Sequence, residues 1–205
     1  MKTIILGFDE IEVAAEFLRK GEVAAFPTET VYGLGVIYDN EEAYKKLIDA
    51  KKRAPNKPFT LMCSSIEESI NFIDIDNRTK RLMERFFPGQ LTVIVKAKKG
   101  LPSWVTLGSE FIGIRIPDSE FVRSLIAKVG KPCLVTSANK SGEPTSTLFE
   151  DVEATFAGEI SAIVKGKCVS NEASTIIKID DNGPSLIRSG PIDFNKIIEA
   201  WEEEI

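Results

Sequence analysis

Short stretches of the 205-residue chain hold side chains whose type and spacing suit the capture of small anionic ligands. In FPTETVYGLG, residues 26–35, Pro27 stiffens the exit of a strand, Thr28 and Thr30 offer hydroxyls, and Gly33 and Gly35 let a backbone come close to a ligand. The stretch reads as a small-molecule lip and not as a dinucleotide fingerprint, because Tyr38 stands where a third glycine belongs. No GxxxxGK[ST] phosphate loop occurs anywhere in the chain. Residues 45–57, KKLIDAKKRAPNK, carry six lysines or arginines against Asp49, a local +5 in a chain of net charge −5, which leaves −10 for the remainder. Lys51, Arg53 and Lys57 flank Pro55 on an irregular turn, where three cations can converge on one polyanion such as a triphosphate. The plainer alternative is a solvated cluster complementing the dipole at a helix end.

In FIGIRIP, period-2 alternation sends Ile112, Ile114 and Ile116 to one face and Gly113 and Arg115 to the other. A guanidinium fixed there can hold a carboxylate bidentately, or it can make a structural salt bridge. In LVTSANKSGEPT, Ser137 and Asn139 follow a strand two residues apart and project to the same side, with Gly142 and Pro144 turning the loop. Ser137 to Lys140 spells SxxK, but without SDN or KTG partners an acyl-transfer serine is disfavoured. Ser174 in EASTIIKI and Arg188 in SLIRSGPI sit at the edges of aliphatic strands, where ordinary strand-end residues also occur.

The chain contains no histidine, which excludes Ser-His-Asp and Cys-His relays, an imidazole base and the usual zinc sites. Its three cysteines, Cys63, Cys133 and Cys168, are odd in number and far apart, so they form neither a disulfide framework nor a CxxC clamp. No apolar stretch reaches the roughly 18 residues needed to span a bilayer, and MKTIILGFDE turns acidic too early for a signal peptide. These features point to a cytoplasmic protein with no membrane association.

The elements that must position these residues alternate. Asp9 with Glu12 predicts a capping box opening a helix that buries Ile11, Ala14, Ala15 and Leu18 and stops at Gly21. EVAAF follows as a strand. Asn40 caps a helix burying Ala43, Tyr44, Leu47 and Ile48 and ending before Pro55. FTLMC, LTVIVKA, FIGIRIP and CLVTS read as further strands, with helices from about Ser65, Asn77 and Asp118. A last helix from Asp193 exposes Glu199, Glu202, Glu203 and Glu204. The expectation is one α/β domain over 1–205, with a twisted mixed β-sheet flanked by helices and ligands bound where loops gather.

Taken in order, PTETVYGLG, KKRAPNKP, GIRIPD, TSANKSGEPT, ASTI and IRSGP resemble the YrdC/TsaC family of threonylcarbamoyl-AMP synthases over about Glu22 to Pro191. The length resembles the single-domain form. The resemblance implies a YrdC-like fold with a large, positively lined concave cavity. It also implies synthesis of L-threonylcarbamoyl-adenylate and diphosphate from L-threonine, bicarbonate or CO2, and ATP with Mg2+. That product would feed TsaD-type machinery modifying tRNA, with weak binding of tRNA or double-stranded RNA as a further property. By position, Thr30, Arg115 and Ser174 match threonine contacts. Lys51, Arg53, Ser137 and Asn139 match catalytic and nucleotide-binding positions, and Lys57, Thr145 and Arg188 match positions in or beside the nucleotide site. Ala54, Lys57 and Met62 depart from the RPxxNPLxxH pattern of many relatives, Met62 standing where the histidine falls. The alternatives are a YciO-like paralogue, to which FTLMC is similar, and an RNA-binding module without chemistry, which the acidic net charge disfavours. A carbamoyl-transfer domain of the hydrogenase-maturation type would need companion modules for which 205 residues leave no room.

Overall fold

The computed structural model describes residues 2–54 and 57–203. Its strands are β1 (Ile4–Leu6), β2 (Ala24–Phe26), β3 (Gly33–Ile37), β4 (Thr60–Met62), β5 (Leu91–Lys96), β6 (Phe111–Arg115), β7 (Cys133–Ser137), β8 (Ala162–Val164), β9 (Thr175–Asp180) and β10 (Gly183–Arg188). They form one mixed sheet in the order β1-β8-β2-β3-β7-β4-β6-β5-β9-β10. The helices are α1 (Ile11–Arg19), α2 (Glu41–Lys51), α3 (Ile66–Ser69), α4 (Asn77–Phe86), α5 (Ser103–Thr106), α6 (Glu120–Val129), α7 (Phe149–Phe156) and α8 (Phe194–Glu202).

Register divides the central strands into two faces. Val36 pairs with Leu134, Leu134 with Leu61, Leu61 with Ile114, Ile114 with Val93 and Val93 with Ile177, a row of fully buried aliphatic side chains. One residue along each strand, the side chains turn to the other face. There Thr60 pairs with Val135, Met62 with Arg115, Thr92 with Ile176 and Ile176 with Arg188. Arg115 therefore leaves the aliphatic face as the alternation predicts, with Ile112, Ile114 and Ile116 buried on the other side.

The helices begin where short polar side chains reach forward. Asn40, Asp76 and Asp193 accept backbone N–H groups from Ala43, Thr79 and Asn195. Gly21, at φ +74°, ends α1 as expected. Glu199, Glu202 and Glu203 are exposed, and Glu204 lies outside the described residues. Pro55, at the centre of the predicted turn, lies outside them too.

Some expectations change. The Asp9–Glu12 capping box does not form: a single 3-10 turn, Phe8–Glu10, precedes α1, and Glu10 accepts the Gly7 N–H at 2.8 Å. Ser119, not Asp118, caps α6. GLGVI is a strand that begins at the rim of a hollow lined by Thr28, Thr30 and Gly33, and its glycines make room for neighbours: a Cβ at Gly35 would lie 3.1 Å from the Phe26 ring, and one at Gly33 3.1 Å from Val135. Tyr32 fixes this segment through its hydroxyl, which donates to Gly166 O at 2.9 Å and accepts from Gly166 N at 3.0 Å. Burial pushes that phenol up to about 12.

Candidate active site

The polar face of the sheet carries a hollow of about 210 Å³, reached by Thr28 and Thr30 before β3, Ser137 ending β7, Arg115 ending β6, Ser174 before β9 and Arg188 ending β10. Its charged lining is three guanidiniums, Arg53, Arg115 and Arg188, and no lining side chain among the described residues is a carboxylate. Arg188 is drawn below its ordinary pKa first by desolvation and then by the charge of Arg115. Two guanidiniums sharing one low-dielectric space favour an anion between them.

On one side, Arg115 Nη2 donates to Thr30 Oγ1 at 2.8 Å, and Thr30 Oγ1 lies 2.9 Å from Thr28 Oγ1. The Thr28 hydroxyl also donates to Val31 O at 2.8 Å, a local turn that fixes both threonines. Across the hollow, Ser174 Oγ lies 2.9 Å from Thr92 Oγ1, and Arg188 donates from Nε and Nη2 to Ser174 O at 3.1 and 2.7 Å. Gly190 makes this crossing possible, since a Cβ there would lie 2.4 Å from Thr175 N. Met62 forms an apolar part of the wall.

Arg53 is held by donation to Lys57 O and Pro58 O, each at 3.0 Å, and its guanidinium lies 4.8 Å from the Phe59 ring centroid. Lys51 behaves differently from a free phosphate clamp. It is 3% exposed and does not line the hollow. Its Nζ donates to Ser137 O at 2.5 Å, Ser137 Oγ at 3.2 Å and Asn139 Oδ1 at 2.5 Å. All three ammonium hydrogens are used, so Lys51 holds the Ser137–Asn139 turn in place. Asn139 completes the turn by donating to Lys140 O at 3.0 Å and Glu143 O at 2.5 Å. Desolvation first, then the Arg53 charge, brings the Lys51 pKa down to about 7. Four predicted residues do not line the hollow: Lys51 is turned inward, Asn139 and Thr145 line a separate cavity, and Lys57 is exposed.

Glu29 is the residue that sequence reasoning missed. It stands inside PTETVYGLG, between two threonines that face the hollow, so alternation assigns it no role. It is nonetheless buried and forms an ion pair with Arg115, Nη2 to Oε1 at 2.7 Å. In the other ion pairs among the described residues both side chains are at least 24% exposed. Among the described residues, the buried side-chain atoms without a hydrogen-bond partner are Glu29 Oε2 and Arg115 Nε. Each such atom costs on the order of 1–3 kcal/mol.

Fold and hollow together define an α/β protein that gathers polar strand ends and three guanidiniums around one hollow. The family model Sua5_yciO_yrdC, described as "Telomere recombination", matches residues 16–190, and the chain belongs to that family. A threonylcarbamoyl-AMP synthase of Bacillus subtilis is 39% identical over 191 residues, 92% of this chain and 55% of the relative. A putative threonylcarbamoyl-AMP synthase of Methanocaldococcus jannaschii is 33% identical over 202 residues, 96% of this chain and 95% of the relative. The crystal structure of P. abyssi Sua5 complexed with L-threonine superposes with a TM-score of 0.92 at 32% identity, covering 97% of this chain and 61% of that one. The chain thus spans a little over half the length of the B. subtilis relative and nearly all of the M. jannaschii one.

Proposed function

We propose that the protein is an L-threonylcarbamoyladenylate synthase, a nucleotidyltransferase joining L-threonine, bicarbonate or CO2, and ATP. The observation that carries this reading is the convergence of Thr30, Arg115 and Ser174 with Arg53, Ser137 and Arg188 in one hollow. Arg115 and Thr30 receive the amino-acid carboxylate, and Ser174 contributes a hydroxyl. Arg53 and Arg188 face the phosphates, while Lys51 and Asn139 hold Ser137 beside them. The hollow takes the amino acid and the reacting phosphate, and the rest of the nucleotide lies over the rim towards Lys57 and Thr145.

The threonine amine, freed of a proton, attacks CO2 to give a carbamate. A carbamate oxygen then attacks the α-phosphorus, a P–O bond forms, and the bond to diphosphate breaks. No protein nucleophile or imidazole is required, so the rate comes from juxtaposition and charge neutralisation. Mg2+ enters as part of the nucleotide. It would be held by phosphate oxygens and water and would supply charge neutralisation beside the hydroxyls and guanidiniums of the hollow. No helix among the described residues is long and apolar enough to cross a membrane. On this reading the protein works in the cytoplasm, and its adenylate passes to a TsaD-type transferase acting on tRNA.

The test is diphosphate release from ATP and Mg2+ with threonine and bicarbonate varied separately. Release that depends on both supports the synthase. Release indifferent to threonine contradicts it and favours a YciO-like paralogue.

A further inference from the structure

Several hydroxyls around the hollow have already given their proton away. Thr28 donates to Val31 O, which leaves its oxygen to accept from Thr30, and Ser137 donates to Asn139 Oδ1 at 2.6 Å. Tyr32 donates to Gly166 O. Thr60 and Thr136 are half-buried, so solvent serves their hydroxyls. The pair formed by Thr92 and Ser174 differs. Both side chains line the hollow, both are 3% exposed, and their oxygens lie 2.9 Å apart. Whichever of the two donates within the pair, the other keeps its proton. Among the described residues, the other hydrogen bond to these oxygens comes from Arg188 Nη2, which donates to Ser174 Oγ at 3.3 Å. A guanidinium accepts nothing, so the spare proton is left for a guest. The guest must take that proton, and the remaining lone pairs of the two oxygens can receive one in return. A hydroxyl group does both. A methyl group in the same place does neither and strands a buried donor.

We propose that Thr92, acting with Ser174, is a specificity-determining residue that selects a hydroxylated amino acid over its apolar isostere. Its oxygen faces Ser174, and its methyl group faces Gly113, where a Cβ would lie 3.6 Å from Thr92 Cγ2. The proposal rests on the reading of this hollow as the amino-acid site.

Calorimetric titration with L-threonine and with L-valine, which has a methyl group in place of the β-hydroxyl, tests it. The parent protein should prefer threonine by about tenfold or more, the scale of leaving a buried hydroxyl without its partner. Thr92→Val keeps the methyl group facing Gly113 and removes the hydroxyl. It should erase most of that preference by binding threonine more weakly and valine no worse. Thr92→Ser returns the hydroxyl and should restore the preference. Ser174→Ala removes the other half of the pair and should also narrow it, which keeps the proposal testable if Thr92→Val folds poorly. If threonine and valine weaken by the same factor in Thr92→Val and in Ser174→Ala, the pair only supports the fold and the proposal is wrong. Equal binding of the two amino acids by the parent protein overturns this inference alone. If the parent protein binds neither, the amino-acid reading itself falls and takes this inference with it.

Discussion

Arg115 has two anionic partners in this account, one built in and one brought by the substrate, and its removal separates their effects. Arg115→Ala leaves Glu29 buried without its counter-charge, which should destabilise the protein by about 3–5 kcal/mol. Urea unfolding of Arg115→Ala with and without Glu29→Gln checks this. The double variant should recover much of the loss, whereas additive losses would mean that the pair is not coupled. In binding, Arg115→Ala should weaken threonine while largely sparing ATP, and equal loss of both would place Arg115 on the nucleotide. Lys51 gives a pH prediction. Its folded pKa of about 7 lies below the ordinary 10.5, so between these values the unfolded chain binds more protons than the native one. The Lys51 contribution to stability therefore rises as pH goes up through that window, and it is least favourable below pH 7. Melting temperatures of the parent and of Lys51→Met across pH 6.5–10 should diverge in favour of the parent as pH rises. Parallel curves would contradict the assignment. At this scale Arg115 was legible from strand alternation and Ser137 from its place at a strand end, whereas Arg188 rested on the family resemblance. Glu29 was not legible, because its importance comes from burial against a residue 86 positions away.

The strands present these residues, and element-level changes should act on the site through them. Gly190→Ala puts a methyl group 2.4 Å from Thr175 N and 2.6 Å from Ala173 O, both backbone atoms that cannot rotate away. The expected result is a shift of the segment carrying Ser174, with reduced threonine affinity beyond the loss in thermal stability. An unchanged threonine affinity would show that Ser174 is not positioned by this crossing. Asn40→Ala, which removes the α2 cap far from the hollow, should cost about 1 kcal/mol in denaturant unfolding and leave threonine binding alone. Strands with clean alternation, β5, β6 and β9, were readable from the sequence. The strands β1 and β8 were not read from the sequence, and the glycines of β3 disguised a strand as a loop. Helix starts were readable to within a residue wherever a single polar side chain did the capping. The start of α1 was also read to within a residue, but its capping box was not borne out because a 3-10 turn precedes the helix.

For the molecule as a whole, an acidic chain folds so that three guanidiniums from residues 53, 115 and 188 meet in one hollow. The basic cluster at 45–57 announced a local anion site, yet only Arg53 of its three singled-out cations lines that hollow. Lys51 turns inward to hold Ser137 and Asn139, and Lys57 stays outside. Such a meeting depends on strand order and register, which are non-local, so the sequence could announce the parts through motif order but not the pairing of Glu29 with Arg115. The most direct test of the central claim supplies ATP, Mg2+, L-threonine and [13C]bicarbonate and looks for the adenylate by mass spectrometry. The account predicts a threonylcarbamoyl-adenylate one mass unit heavier than the unlabelled product, lost when threonine is omitted. Consumption of ATP with no labelled adenylate would contradict it.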